Sequence, residues 1–376
     1  MVYLQSLIGR IILYLYLGLR APVVLSPRGV KWLRRAMIGE FVLYLLGFLL
    51  QLVVTDEWVN LYAVGGSSLF FSMGYAMMWL VLWDLLFWID RRWLGLVSRL
   101  SPSVRRRGLS LLLAVAGGIV PLMLCVGYYN VRYPRLRHEH IVLDRLTEPG
   151  VRPERRLRIV HLTDLHIGQG ITQSYIDRAV EQVMQQEADL ILIGGDYIDH
   201  HASYAETSEM IASMGRLRAP MGVYYTLGNH EYRAGVEKKI DWVRRVGARL
   251  VRDEVVYPAD SLLALVGRDD YVNDTRATLA QLMDSVETSR PVILLEHTPE
   301  GLDLLEGETI DLALYGHTHG GQIWPMHLAV WLKYGIVSGW AQYGETKVFV
   351  NSGLGAAGGP YRVLSRSEIF VLDLYW

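Results

Sequence analysis

The sequence predicts a two-part protein, a bundle of membrane-spanning helices followed by a layered α/β domain. Three observations carry this. Apolar runs of about twenty residues fill most of residues 1–128. From Leu157 onward, strand-like and helix-like segments alternate. Five short motifs close apolar segments of that second part: Asp164-Leu165-His166, Gly195-Asp196-Tyr197-Ile198-Asp199, Gly228-Asn229-His230-Glu231, Glu296-His297-Thr298 and Gly316-His317-Thr318-His319.

Bulk composition narrows the possibilities. The chain has 376 residues, enough for two or more units, and a formal net charge of −1. Near-neutral charge gives no reason to expect nucleic acid as a partner. Hydrophobic residues make up 51%, an excess concentrated in the N-terminal third. Cys125 is the single cysteine, so no disulfide framework forms within one chain.

Residues 1–128 read as four transmembrane helices. Residues 37–54 carry one charge, Glu40; residues 69–89 carry Asp84; residues 109–128 carry none. Residues 2–19 contain Arg10 and are taken as the fourth span, with a helix lying in the membrane surface as the alternative. They lack the small-residue cleavage site of a signal peptide. Arg20, Arg28, Lys31, Arg34 and Arg35 fill one loop, and Arg91, Arg92, Arg99 and Arg105 to Arg107 another. Basic loops stay cytoplasmic, which sets the C-terminal domain on the outer, periplasmic or extracellular, face of the membrane. Arg132, Arg135 and Arg137 oppose this, but long domains translocate largely regardless of charge. Asp84 and Arg10 are read as paired or interfacial groups, and Tyr3, Trp58, Tyr62, Trp88, Trp93, Tyr128 and Tyr129 as an interfacial belt.

Residues 129–156, polar and Arg-rich with Pro134 and Pro153, are expected to be a linker. In residues 157–376 the pattern gives strands at 158–163, 190–193, 223–227, 262–266, 292–295, 312–315, 346–350 and 369–375. Helices are expected at 174–186, 206–217, 238–250 and 277–286. Ligands of such sheets bind beyond the carboxyl ends of the strands, where the motifs fall.

The motifs offer the donors of a two-metal site. Asp164 and His166 reach one ion if the turn after the strand curls. Asp196 follows two glycines and has two oxygens with which to bridge cations. Asn229 supplies a neutral oxygen, and His297, His317 and His319 supply imidazoles. Mixed nitrogen and oxygen ligation without thiolate suits two divalent ions such as Mn, Fe or Zn. Two metals about 4 Å apart clamp the attacking and leaving oxygens of a phosphoryl displacement and acidify a bridging water. His230 is then the natural acid for the leaving oxygen, with Asp199 holding its ring. His161, His200, His201 and His327 are read as ordinary core or surface histidines. Asp269 and Asp270 leave two readings open, a structural turn or a pair supporting the site.

The order Asp-x-His, Gly-Asp-x-x-Asp, Gly-Asn-His-Glu, His, Gly-His-x-His resembles the calcineurin-like metallophosphoesterases across residues 157–376. The segments at 228–235, 316–325 and 350–355 look like the membrane-associated YkuE/YaeI-type branch. Ser352 and Ser367 depart from it, standing where Arg and Pro are expected. The resemblance implies a four-layer α-β-β-α sandwich and hydrolysis of a phosphodiester or pyrophosphate bond. It implies one metal on Asp164, His166, Asp196 and His319, and a second on Asp196, Asn229, His297 and His317. His230 would be the catalytic histidine and Asp199 its partner. Some branch members resemble UDP-2,3-diacylglucosamine pyrophosphohydrolases.

One segment bears on the substrate. Residues 323–332, Ile-Trp-Pro-Met-His-Leu-Ala-Val-Trp-Leu, follow the last histidine motif. They read first as a helix buried under the sheet, and alternatively as a segment that could dip into the membrane interface or line an acyl-chain groove. With membrane tethering this favours a lipid-linked phosphate substrate. The rival enzyme reading is a tethered nucleotide or general phosphodiesterase. A receptor or scaffold with a degenerate site would lack ligands, and none is missing. Oligomeric state is not legible.

Overall fold

The computed structural model describes residues 2–50, 58–148, 150–168, 170–199, 204–233 and 235–376. Among the described residues the chain divides into two compact units, one of residues up to Leu50 with Leu61–Val126, the other built on Gly127–Trp376.

The first unit is helical: α1 (Val2–Val24), α2 (Pro27–Leu50), α3 (Trp58–Ile89) and most of α4 (Pro102–Arg132). Its small core gathers Leu13, Leu17, Met73, Leu80 and Leu109. Many other apolar side chains, among them Leu15, Leu46, Leu111 and Leu122, face outward. Among the described residues, Gly65–Leu94 and Pro102–Arg132 are long and apolar enough to cross a membrane. The span expected at 69–89 lies inside α3 and that at 109–128 inside α4, whereas residues 51–54 of the span expected at 37–54 lie outside the described residues.

Two ion pairs sit among the helices of this unit. Arg10 Nε donates to Glu40 Oε1 at 3.0 Å, and the Tyr14 hydroxyl donates to the same buried carboxylate. Asp84 pairs with Arg20 and accepts a 3.1 Å bond from the Tyr16 hydroxyl. In an apolar bundle such pairing limits the cost of burying charge.

The second unit holds two six-stranded sheets. One has the order β1-β12-β2-β3-β4-β5 and contains β1 (Arg135–Val142), β2 (Arg156–Leu162), β3 (Leu190–Gly194), β4 (Val223–Thr226), β5 (Arg249–Leu250) and β12 (Glu368–Tyr375). The other has the order β10-β11-β9-β8-β7-β6: β6 (Glu254–Val256), β7 (Ala264–Gly267), β8 (Val292–Leu295), β9 (Leu312–Tyr315), β10 (Gly339–Tyr343) and β11 (Thr346–Val350). Strands β2 to β5 run parallel, as do β7, β8, β9 and β11.

Burial on both faces of a strand requires a continuous apolar run, which β3 and β8 have. Three cores follow. Leu192, Leu295, Leu314, Phe349 and Phe370 fill the space between the sheets, where the Phe349 and Phe370 rings stack at 3.7 Å. On the outside of the first sheet pack α5 (Gln173–Met184), α6 (Ser208–Met214) and α7 (Val236–Arg245), through Ile176, Val180, Met210 and Trp242. On the outside of the second packs α8 (Leu279–Met283), through Leu279 and Leu282. The result is the expected α-β-β-α order of four layers.

The expected linker needs correction. α4 continues to Arg132, and residues 135–142 form β1, paired in parallel with β12 from Arg135↔Glu368 to Val142↔Tyr375. β1 is an edge strand rich in polar side chains, Arg135, Arg137, His138, Glu139 and His140, so composition disguised it as a tether. The short outer strands β5, β6 and β10 also went unread in the sequence.

Candidate metal centre

Every motif emerges at the carboxyl end of a parallel strand: Asp164 and His166 after β2, Asp196 after β3, Asn229 and His230 after β4, His297 after β8, His317 and His319 after β9. Leaving a strand with the side chain turned back over the sheet edge needs an abrupt backbone reversal. Asp164, His166, Asp196, His317 and His319 provide it with φ of 52°, 45°, 49°, 68° and 51°. Asp and His tolerate the left-handed region better than most residues, yet each such residue costs on the order of 1–3 kcal/mol. That strain, shared by five of the seven expected ligands, is held by the surrounding fold.

Glycine supplies the closest approaches. A Cβ on Gly228 would lie 2.6 Å from the Asp196 backbone nitrogen, and one on Gly316 would lie 2.6 Å from Asp164 Oδ2. The motif glycines therefore let neighbouring strand ends pack against one another.

Two groups of donor atoms result, each within 4.8 Å: Asp164, His166 and His319, and Asp196, His297 and His317. In the first, His166 Nε2 and His319 Nε2 are 3.1 Å apart, and His319 Nε2 is 3.2 Å from Asp164 Oδ1. In the second, His297 Nε2 lies 3.2 Å from Asp196 Oδ2 and 3.3 Å from His317 Nδ1. Asp196 Oδ2 is also 3.7 Å from His166 Nε2, so this one oxygen faces both groups.

The donor set fits cations. Asp164 Oδ1 is buried with no hydrogen-bond partner among the described residues. His297 Nδ1 donates to the Gly194 carbonyl at 2.7 Å, so its Nε2 faces the Asp196 carboxylate, as a donor while protonated and as a lone pair for a cation once that proton leaves. The Asn229 amide oxygen sits 2.9 Å from His317 Nδ1 and 3.3 Å from Asp196 Oδ2, both acceptors. Turned over, the amide would donate to both and accept from Arg233 Nη2 at 3.0 Å, so the oxygen-inward orientation suits a cation between them. Several acceptors converging on a shared point without donors is what metal ligation resolves.

Electrostatics agree. Burial pushes the Asp164 carboxyl up, but the His319, His166 and His297 imidazoles hold it well below the usual carboxylate range. Asp196 is likewise held low against burial by His297 and His230. Burial lowers His166, while Asp164 and Asp199 raise it further, to about 10. Burial and the charge of His297 bring His317 down to about 4. Positive charge is needed at the centre, and protons on imidazoles supply it when no metal does.

A third group joins His166, Asp199 and His230. His230 Nδ1 is 2.8 Å from Asp199 Oδ1, and its backbone N–H donates to Asp196 Oδ1 at 2.7 Å. The ring is thus turned toward the two groups at a fixed angle, its Nε2 3.9 Å from Asp196 Oδ2.

Several supporting residues escaped sequence reasoning. Arg233 Nη1 donates to His230 Nε2 at 2.5 Å; it sits one turn beyond His230, a spacing that could have flagged it. Glu231 Oε2 accepts the N–H groups of Asp196 and Gly228 at 2.7 and 2.8 Å, and Oε1 accepts that of Ile198 at 3.2 Å, tying two motif loops together. Burial and the Asp196 charge raise its carboxyl to about 7. Arg362 is fully buried behind His319, donating to the carbonyls of His319 and Gly355 at 2.8 and 2.7 Å and approaching His319 Nδ1 at 3.2 Å.

The remaining candidates fall outside the three groups. His161 is a buried core histidine, brought by burial to about 3. His327 Nε2 lies 3.3 Å from the Leu364 carbonyl, and His200 and His201 lie outside the described residues. Asp270 accepts from the Thr298 hydroxyl at 2.7 Å beside His297, whereas Asp269 binds Arg252, Asn273 and Tyr232. At the two departures from the family pattern, Ser352 donates its hydroxyl to the Arg366 carbonyl at 2.9 Å. The Ser367 N–H, which a proline would lack, donates to the Asn130 carbonyl at 3.1 Å.

A double-sheet sandwich presenting Asp, His and Asn donors at its strand ends defines a dinuclear-type phosphoesterase scaffold. A family model described as calcineurin-like phosphoesterase matches residues 157–321. An uncharacterized metallophosphoesterase of Helicobacter pylori (strain J99) is 33% identical over 253 residues, 66% of this chain and 65% of that protein. The metallophosphoesterase YkuE of Bacillus subtilis is 31% identical over 230 residues, 58% of this chain and 78% of YkuE. A bovine transmembrane protein with metallophosphoesterase domain is 29% identical over 289 residues, 72% of this chain and 64% of that protein. The chain belongs to the calcineurin-like metallophosphoesterase family. It spans about two thirds or less of the Helicobacter and bovine relatives' length.

Proposed function

We propose that the protein is a membrane-anchored phosphoesterase that hydrolyses a phosphodiester or pyrophosphate bond in a lipid-linked substrate. The observation that carries the reading is Asp196 Oδ2 facing both donor groups, 3.2 Å from His297 and 3.7 Å from His166. Asp164, His166, Asp196 and His319 would hold one divalent ion, and Asp196, Asn229, His297 and His317 the other. Bound there, two ions of the Mn, Fe or Zn class supply Lewis acidity toward the phosphoryl oxygens and toward water. His230 would donate a proton to the leaving oxygen from Nε2 once that nitrogen is protonated in place of the bond it accepts from Arg233, while Asp199 accepts from its Nδ1 and keeps Nε2 directed at the site. Arg233, beside Nε2, adds positive charge where the phosphoryl group develops negative charge.

Anchoring rests on the two long apolar helices and on relatives named as transmembrane proteins. The basic residues that flank the α1–α2 turn, Arg20 to Arg35, and the α3–α4 connection, Arg91 to Arg107, favour the cytoplasmic side for those helix ends, and hence the outer face for the catalytic domain.

The test uses the full chain in detergent, loaded with Mn, Fe or Zn, assayed for metal content and for hydrolysis of bis(p-nitrophenyl) phosphate. Two bound ions per chain and loss of turnover in Asp196→Asn are expected. Retained hydrolysis in that variant sinks the mechanism. A preference for nucleotide diesters over lipid phosphodiesters removes the lipid-linked substrate.

A further inference from the structure

The helix that follows His319, α9 (Met326–Tyr334), has no buried residue. It is not the helix under the sheet that the sequence suggests first. Half-buried His327, Val330 and Tyr334 repeat at helical spacing and form its inner side. Its outer side carries Leu328, Trp331 and Leu332, at 60%, 54% and 69% exposure. Trp324 just before it and Leu364 across from it, at 76%, extend the apolar surface. Isolated apolar side chains on a surface mean little, but a contiguous set marks an interaction site.

Two neighbours say what the site meets. The α9 segment is joined to the 361–366 loop by the Ile323↔Val363 bridge and by His327 Nε2, 3.3 Å from the Leu364 carbonyl. The same loop receives residues 127–132, the last turn and a half of α4. There Arg362 N–H donates to the Gly127 carbonyl at 3.0 Å, and the Tyr128 and Tyr361 rings lie 6.3 Å apart. That end of α4 carries exposed Tyr129 and Tyr133, their rings 4.6 Å apart, with Arg366 over Tyr129 at 5.9 Å. Tyrosines with an arginine at the end of an apolar helix are the composition of a membrane–water interface. At its other end α9 reaches the metal centre, where the Tyr334 ring meets the edge of His317 at 5.6 Å.

We propose that α9, with Trp324 and Leu364, is a membrane-contact surface that inserts into the lipid interface at the end of α4 and holds the mouth of the metal centre against the bilayer. The partner is the bilayer itself. The substrate class that follows is a phosphodiester or pyrophosphate whose headgroup stands at the interface. This rests on the reading that the chain is membrane-anchored. An interfacial helix of this kind binds lipid through its apolar face without a span of its own.

The experiment reconstitutes the full chain in phosphatidylcholine vesicles containing nitroxide-labelled phosphatidylcholine. A fluorophore is attached at Leu328→Cys, or at Asp284→Cys as control, in a Cys125→Ser background. Quenching by the lipid nitroxide is expected at 328 and not at 284. Equal quenching at both positions overturns the proposal, as does protection of 328 by a second copy of the chain. A Leu328→Glu/Leu332→Glu variant adds a kinetic readout. Turnover of bis(p-nitrophenyl) phosphate should stay within twofold, while turnover of a long-chain lipid phosphodiester in vesicles falls at least tenfold. Equal loss on both substrates overturns the role in presenting lipid. Quenching at 328 without lipid turnover by the unmodified protein would leave the contact standing and remove the lipid-linked substrate instead.

Discussion

Asp199 Oδ1 stands 2.8 Å from His230 Nδ1, so the imidazole that faces the metal groups is held from behind by a carboxylate. Burial alone would raise that carboxyl, but the His166 and His230 imidazoles hold it well below the usual range. Asp199 is therefore an anion at neutral pH and can orient His230. If His230 protonates the leaving oxygen, its removal matters most when the leaving group is a poor one. General acid catalysis contributes about 10²–10⁴-fold. His230→Asn should lose turnover in that range on an alkyl phosphodiester and much less on bis(p-nitrophenyl) phosphate, whose leaving group needs no proton. Asp199→Asn should follow the same pattern more weakly. Steady-state kinetics on the two substrates checks this, and equal losses on both would contradict the assignment.

Glu231 ties the Asp196 and Asn229 loops through three backbone N–H groups. Truncation leaves three buried donors unpaired, each costing about 1–3 kcal/mol. Glu231→Ala should unfold the metal centre, seen as loss of bound metal and a transition at markedly lower denaturant. Glu231→Gln keeps an acceptor for two of the donors and should fall between. A full metal complement in Glu231→Ala would show that the clamp is dispensable.

The four layers and the motif residues that cluster were readable because both rest on local signals. Leu190 to Ile193 and Val292 to Leu295 are uninterrupted apolar strands, and each motif is a compact string at the end of one. β1 was not readable, since an edge strand with Arg135, Arg137 and His138 has the composition of a tether. Arg362 was not readable either. It lies 43 residues beyond His319 in a loop of Gly, Pro and Ser, and only tertiary folding brings it behind that ring. The left-handed backbone at Asp164 and His317 had no local mark, because Asp and His are common in ordinary strands and turns.

Arg362 acts on the centre through His319. Its guanidinium fills a cage of carbonyls from Gly353, Gly355 and His319, with burial pulling it down to about 10. Supports of this kind typically change metal affinity by about 10–100-fold. Arg362→Met should weaken binding at the Asp164, His166 and His319 group by that factor. Binding at the Asp196, His297 and His317 group should change little. Stepwise metal titration by calorimetry separates the two sites. An equal fall at both would assign Arg362 to general stability, and Arg362→Lys should recover part of the loss.

Removal of metal should expose the charge balance of the centre. In the metal-free protein His166 is raised to about 10, from an unfolded value near 6.5, by Asp164 and Asp199 working against burial. Its protonated form stabilises the fold fully below pH 6.5, and that contribution disappears as pH rises toward 10. His317 runs the other way. Burial and the charge on His297 set it at about 4, so its contribution is complete above pH 6.5 and fades as pH falls toward 4. Through these two groups chelated protein should lose stability on both sides of pH 6.5, and Glu231, raised to about 7, adds a loss as pH rises toward 7. Metal replaces the protons as counter-charge, so the alkaline loss between pH 6.5 and 10 should vanish on reloading with Mn or Zn. Thermal unfolding in detergent across that pH range, with and without chelator, makes the comparison, and an alkaline arm that persists after reloading would place His166 outside the ligand set.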